Sequence, residues 1–296
     1  MAVRTAVIPA AGMGTRFLPA TRATPKELLP IYDTPALQFV IDEAIAAGCD
    51  QVIVVTSRTK PSIENYVATA STDKVSVSVV YQDAPLGLGH AVGCARQAVG
   101  KEPFIVMLPD EIMGDASLTK QLVAQFEATG KSSIGLKRVA HAEVSSYGNV
   151  KVAGYSGGAE SSVEILQVVE KPSSADAVSD IVIIGRYVFA PTVFDKLDQV
   201  KQSPISEIQL TDALAMLAAE RSLNGIVSDI TRYDTGTPMG LLRAVIEIAL
   251  QRKDIGAPLN AWLKEKFNKL FKVGSDDRKV WCEHRCKRCR SRRGAP

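Results

Sequence analysis

The chemistry begins early in the chain. Ala10-Ala11-Gly12-Met13-Gly14-Thr15-Arg16 directly follows the apolar run of residues 5–8. Glycine has no Cβ, so backbone N–H groups in such a loop can close on phosphate oxygens. Arg16 adds a permanent charge whose guanidinium can fork onto phosphate. Two familiar phosphate loops do not fit. A dinucleotide fingerprint wants a third glycine near position 17, which holds Phe17, and a Walker A loop wants Gly-Lys-Ser/Thr, which is missing. By itself the segment is either a phosphate loop or a plain turn. Pro25-Lys26-Glu27-Leu28-Leu29-Pro30 follows. Lys26 can reach the same phosphates, with Pro25 and Pro30 stiffening its loop, or it is a surface lysine in a connector.

Carboxylates at strand ends are the second signal. Asp110 closes the apolar run 104–108. A carboxylate at the tip of a buried strand is costly unless something pairs with it. Magnesium is a natural partner, since it takes one or two carboxylates plus phosphate oxygens and water. Asp234 ends another strand-like segment and can supply the second carboxylate. Either aspartate can instead cap a helix or close a turn. Glu170-Lys171-Pro172 ends the run 165–170 and reads as a charged strand end or as a phosphate contact. The loop 86–89 alternates Leu and Gly, which also suits a flexible turn.

These groups need a frame. The first half alternates strand and helix signals: strands at 5–8, Gln51–Thr56, 75–81, 104–108 and 134–138, helices at 36–47, 61–68, 90–99 and 118–128. Strands buried on both faces read as continuous Val/Ile runs, and repeated β-α units imply a largely parallel sheet with helices on both sides. Later come strands at 165–170, Ile181–Phe189 and Leu223–Val227, and helices at 210–220, 239–252 and 259–271. Residues 152–162, rich in Gly and Ser, read as a turn between strands. The expected class is α/β: a Rossmann-like, three-layer αβα arrangement around a central mixed, largely parallel sheet. The catalytic domain is expected to span 1–273, with 274–296 a disordered basic tail.

Bulk properties exclude several alternatives. The 296 residues are 46% hydrophobic and 23% charged, ordinary for a soluble globular protein. Net charge is only +3, and much of it comes from Lys287, Arg288, Arg290, Arg292 and Arg293. The near-neutral body argues against broad nucleic-acid binding. No run approaches the ~18 apolar residues of a membrane span. No signal-peptide core follows Met1, so the expected compartment is the cytoplasm. Cys49 and Cys94 sit in apolar helical patterns and read as core residues.

In order along the chain, several short segments together are similar to the sugar-phosphate nucleotidyltransferases. They are Gly12-Met13-Gly14-Thr15-Arg16-Phe17-Leu18-Pro19-Ala20-Thr21, Pro25 to Pro30, Leu86-Gly87-Leu88-Gly89-His90-Ala91-Val92, Leu108-Pro109-Asp110, Tyr147-Gly148, Val169-Glu170-Lys171-Pro172, Gly185-Arg186-Tyr187, Glu207 to Ala213 and Asp234-Thr235-Gly236. The set covers about residues 3 to 270 and most resembles the bacterial UDP-glucose pyrophosphorylase branch. The resemblance implies transfer of a uridylyl group from UTP to glucose-1-phosphate, with Mg²⁺ as cofactor held by Asp110 and Asp234. It implies that Arg16 and Lys26 hold the β- and γ-phosphates and that Lys171 holds the attacking phosphate. Ala11, Gly12, Gly14, Thr15, Gln82 and Gly87 would bind the nucleotide, with Glu27 assisting. Gly148 and Glu170 would meet the sugar. A homodimer or homotetramer is implied, with neither nucleic acid nor membrane as partner. His90 and His141 are expected to be structural or surface residues.

Two features depart from that pattern. The link between Tyr66 and Val75 is short where the family often carries a helical insertion, and residue 81 is Tyr where a basic residue is expected. The tail carries Cys282, Cys286 and Cys289 with His284, a set compatible with a zinc knuckle or with a terminus unrelated to the fold.

Overall fold

A computed structural model describes residues 2–158, 161–201 and 207–268. The chain divides into two compact units, 1–244 and 245–296. The expectations for 269–271, and for the tail with Cys282, His284, Cys286 and Cys289, lie outside the described residues.

The chain opens with β1 (Thr5–Pro9), three short 3-10 turns, and a hairpin of β2 (Pro30–Ile31) and β3 (Thr34–Pro35). Then follow α1 (Ala36–Ala46), β4 (Gln51–Thr56), α2 (Pro61–Val67), β5 (Ser76–Tyr81), α3 (Leu88–Cys94), α4 (Arg96–Val99), β6 (Phe104–Met107) and β7 (Glu111–Met113). Next come α5 (Ser117–Thr129), β8 (Ser132–Arg138), β9 (Gly148–Ala153), β10 (Ser161–Glu170) and β11 (Ile181–Phe189). The series ends with α6 (Val193–Leu197), α7 (Leu210–Ala219), β12 (Leu223–Val227), β13 (Arg232–Asp234) and α8 (Pro238–Gln251). In the second unit, residues 256–268 are helical.

Nine strands form one sheet in the order β5-β4-β1-β6-β11-β8-β12-β10-β9. The strands β5, β4, β1 and β6 are mutually parallel, as the β-α alternation requires. β11 runs antiparallel to both β6 and β8, and β10 runs antiparallel to β12 and β9. Successive side chains of a strand point to opposite faces. Val7 therefore joins a core with α3, α6 and α7, while Ala6 and Ile8 join a core with α1, α2 and α5. Two apolar layers on one sheet give the expected three-layer α/β class. Every residue of β11 is buried, which is why its run of nine shows no alternation.

Two details differ from the sequence pattern. The helix expected over 90–99 begins at Leu88 and breaks at Ala95, whose N–H bonds the Val92 carbonyl in a three-residue turn (3.1 Å). β7 and β13 form a separate two-stranded ribbon, pairing Asp234 with Glu111.

Candidate active site

The site lies beyond the carboxyl ends of parallel strands β1, β5 and β6, where open α/β sheets bind ligands. The loop after β1 is shaped from below by Lys60. Its ammonium donates to the carbonyls of Ala10 (2.9 Å) and Gly12, and to both carboxylate oxygens of Glu27 (3.2 and 3.0 Å). Two carbonyls are thus turned into the protein. Gly14 takes φ +62 to start the turn Thr15–Phe17, and the Thr21 hydroxyl bonds its carbonyl (2.9 Å). Buried Phe17 anchors the turn while Arg16 stays exposed. Burial pushes the Glu27 carboxyl up despite Lys60 and Lys26. Burial likewise pulls Lys60 down despite Glu27. For this pair the cost of leaving water exceeds the mutual attraction.

Lys26 Nζ stands 2.6 Å from Asp110 Oδ2. Burial acts to raise the Asp110 pKa, but the Lys26 charge and hydrogen bond outweigh it and hold the carboxyl below its ordinary value. Burial acts to lower Lys26, and Asp110 more than reverses that. Both groups are charged at neutral pH.

The ribbon of β7 and β13 brings Asp234 to Asp110. Thr235 donates its N–H (2.8 Å) and hydroxyl (3.1 Å) to the Asp110 carbonyl, and Gly236 N–H bonds Asp234 Oδ1 (2.9 Å). A Cβ added to Gly236 would stand 3.1 Å from both Asp110 Oδ2 and Asp234 Oδ1. Two carboxylates thus converge over a residue with no side chain. That arrangement fits a small hard cation needing oxygen ligands and an open side for phosphate. Beneath it, fully buried Arg186 forks onto Glu43 (2.9 and 2.7 Å) and donates to the carbonyls of Leu108, Gly185 and Glu111. Those bonds fix the turn on both sides of Asp110.

Two adjoining chambers meet at these groups. The larger, about 520 Å³, is lined by Ala11, Gly12, Gly14, Thr15, Lys26, Glu27, Gln82 and Gly87. The smaller, about 220 Å³, is lined by Arg16, Gly148 and Asp234. Asp110, Glu170 and Lys171 line both. The fold therefore brings together all the site residues singled out in the sequence. Lys171 holds φ +39, a strained conformation for a non-glycine residue, and its ammonium lies 3.3 Å from Glu170 Oε1. Gly148 packs closely, since a Cβ there would sit 3.0 Å from Ile183 Cδ1.

The sequence did not single out several neighbours. Lys60 carries no motif and arrives from the segment before α2. Arg232 bonds the Tyr147 hydroxyl (2.8 Å) and stands 2.8 Å from Glu111 Oε2. Burial first, with Asp110 and Asp234 nearby, raises the Glu111 carboxyl to about 8 against the pull of Arg232. Thr211 Oγ1, buried on the wall of the smaller chamber, has no hydrogen-bond partner among the described residues. At position 81, where a basic residue was expected, Arg58 Cζ lies 4.1 Å above the Tyr81 ring. His141 is on the surface, with Nδ1 2.8 Å from Asp180 and Nε2 3.0 Å from the Ser174 carbonyl.

Sheet order, glycine loop and paired carboxylates define a nucleotidyl-transferring class of site. Residues 5–251 match the family model described as nucleotidyl transferase, and the chain belongs to that family. More particularly, it is similar to the UTP–glucose-1-phosphate uridylyltransferase of Staphylococcus epidermidis, at 37% identity over 285 residues, covering 89% of this chain and 98% of that one. A crystal structure of UDP-glucose pyrophosphorylase complexed with UDP-glucose aligns with a TM-score of 0.79 at 35% identity, covering 84% of this chain and 100% of that one. The UTP-bound enzyme from Acinetobacter baumannii aligns at 0.81 and 34% identity, covering 89% and 99%.

Proposed function

We propose that the chain transfers a uridylyl group from UTP to glucose-1-phosphate, giving UDP-glucose and pyrophosphate. The observation that carries this reading is the convergence of Asp110 and Asp234 over Gly236, at the junction of two chambers and beside Lys26 and Lys171. The larger chamber suits the nucleoside and the smaller the sugar phosphate, with the UTP phosphates at their junction, where the Arg16 charge acts on both Lys26 and Asp110. Relatives at 37% identity carry this activity in their names.

A sugar phosphate is already an anion and needs no base to attack. Its oxygen adds in line to the α-phosphorus of UTP, and the bond from that phosphorus to the bridging oxygen breaks. The obstacles are repulsion between two polyanions and charge building on departing pyrophosphate. Positioning and cations address both. Arg16 and Lys26 hold the β- and γ-phosphates, and Lys171 holds the attacking phosphate. Gly148, Glu170 and Thr211 meet sugar hydroxyls. Ala11, Gly12, Gln82 and Gly87 receive the base, while Glu27 acts beneath the loop through Lys60. Asp110 and Asp234 would hold Mg²⁺, which supplies Lewis-acid charge to the α-phosphate when bound.

The test is pyrophosphate release with glucose-1-phosphate and UTP, dTTP, ATP, CTP or GTP in turn. UTP should give the highest kcat/KM. A tenfold preference for dTTP would overturn the choice of nucleotide.

A further inference from the structure

We propose that His90 is a positioning residue for nucleotide choice: it fixes which end of the Gln82 side-chain amide faces the nucleobase chamber. The inference rests on the nucleotide reading above and goes beyond it. Gln82 is buried at the foot of the larger chamber. Its Nε2 lies 3.0 Å from the Gly87 carbonyl and 3.0 Å from His90 Nδ1.

A carbonyl oxygen can only accept, so the atom facing Gly87 must be the amide nitrogen. Gly87 cannot turn away. Its φ of +94 and the bonds Gly89 N–H to Ile208 O (2.9 Å) and Ile208 N–H to Leu86 O (2.7 Å) clamp the loop. The second Nε2 hydrogen then points at His90 Nδ1, which must offer a lone pair. The imidazole proton therefore sits on Nε2, the ring atom nearer Cys94 Sγ, at 3.8 Å. Both amide hydrogens are committed, and the group Gln82 turns to the base is Oε1, an acceptor.

An acceptor selects an N–H on the base edge. Uracil and thymine present one at N3, where cytosine presents a lone pair. Lone pair against lone pair leaves a buried polar group unpaired, which is how a site rejects a near-isostere. Two acceptors behind Nε2 hold the amide in one orientation. With His90 removed, only the Gly87 carbonyl opposes reversal, so the reversed amide, which suits cytosine, becomes less costly by about one hydrogen bond.

The experiment compares the full chain with His90→Phe, which keeps a ring but has no lone pair, and His90→Asn, whose Oδ1 replaces Nδ1. Dissociation constants and kcat/KM are measured for UTP, dTTP and CTP. His90→Phe should lower the UTP-over-CTP ratio about tenfold, the worth of one hydrogen bond, with dTTP falling alongside UTP. His90→Asn should keep the ratio within about threefold of the parent. An unchanged ratio in His90→Phe, an equal loss across all three nucleotides, or failure of His90→Asn to restore the ratio would overturn the inference alone. A parent chain that prefers CTP would overturn it together with the functional reading.

Discussion

Lys60 is almost enclosed, with 11% of its side chain exposed against 1% for Glu27. Its four hydrogen bonds link a buried carboxylate to the carbonyls of the glycine loop. Replacing it strands a buried charge, and breaking such a pair typically costs about 3 kcal/mol. Lys60→Met should therefore lower the urea midpoint and raise the UTP KM about tenfold, with kcat changing less. Adding Glu27→Gln should recover part of the stability and little of the KM, because the carbonyl pins stay lost. An unchanged KM would remove Lys60 as the support of the loop. The residues that line the chambers were legible because the short motifs, each of which alone also suits a turn or a cap, stand together in one order along the chain. Lys60 was not, since a lone lysine before a short helix carries no local signal of what the fold will set beside it. Thr211 lies inside the family-like segment Glu207 to Ala213, but its residue type gave it no role beyond a helix cap.

At the scale of elements, the ribbon of β7 and β13 decides whether two distant aspartates can act as one ligand set. Gly236 is its narrow point. Gly236→Ala would push a methyl group to 3.1 Å from both carboxylate oxygens. Displacements of about 1 Å can cost about 100-fold in rate, so kcat should fall by about that factor with little change in melting temperature. Retention of more than about half the activity would contradict the shared-ligand geometry. A second contact fastens the segment after β8 to the one before β11. The Asp180 and Ser174 hydrogen bonds raise the His141 pKa above 6.5. The stability from this contact is complete below about pH 6.5 and is lost as pH rises through the higher folded value. An NMR titration should place His141 above 6.5, and Asp180→Asn should bring it back. A value at or below 6.5 in the parent would refute the contact. Continuous apolar runs made β1, β4, β6 and β11 readable. Three-residue strands such as β7 and β13 are too short to show any period, so the ribbon emerges only when the long strands have placed them.

In the whole molecule, the sheet and its ribbon present two adjoining chambers with Asp110 and Asp234 close together beside them, which we read as nucleotide and sugar-phosphate chambers. The parallel half of the sheet was visible in the β-α alternation. The antiparallel insertion of β11 between β6 and β8 was not, because pairing order depends on contacts far apart in sequence. Among the described residues no helix is long and apolar enough to cross a membrane. The arrangement predicts dependence on a divalent cation and on both carboxylates together. The most direct measurement is pyrophosphate release from UTP and glucose-1-phosphate with Mg²⁺, for the parent chain and for Asp110→Asn. The parent should give UDP-glucose and pyrophosphate in equal amounts, and chelation should silence it. The variant should lose about 1,000-fold or more in kcat with the fold intact. Undiminished turnover by Asp110→Asn would contradict a shared metal site at Asp110 and Asp234.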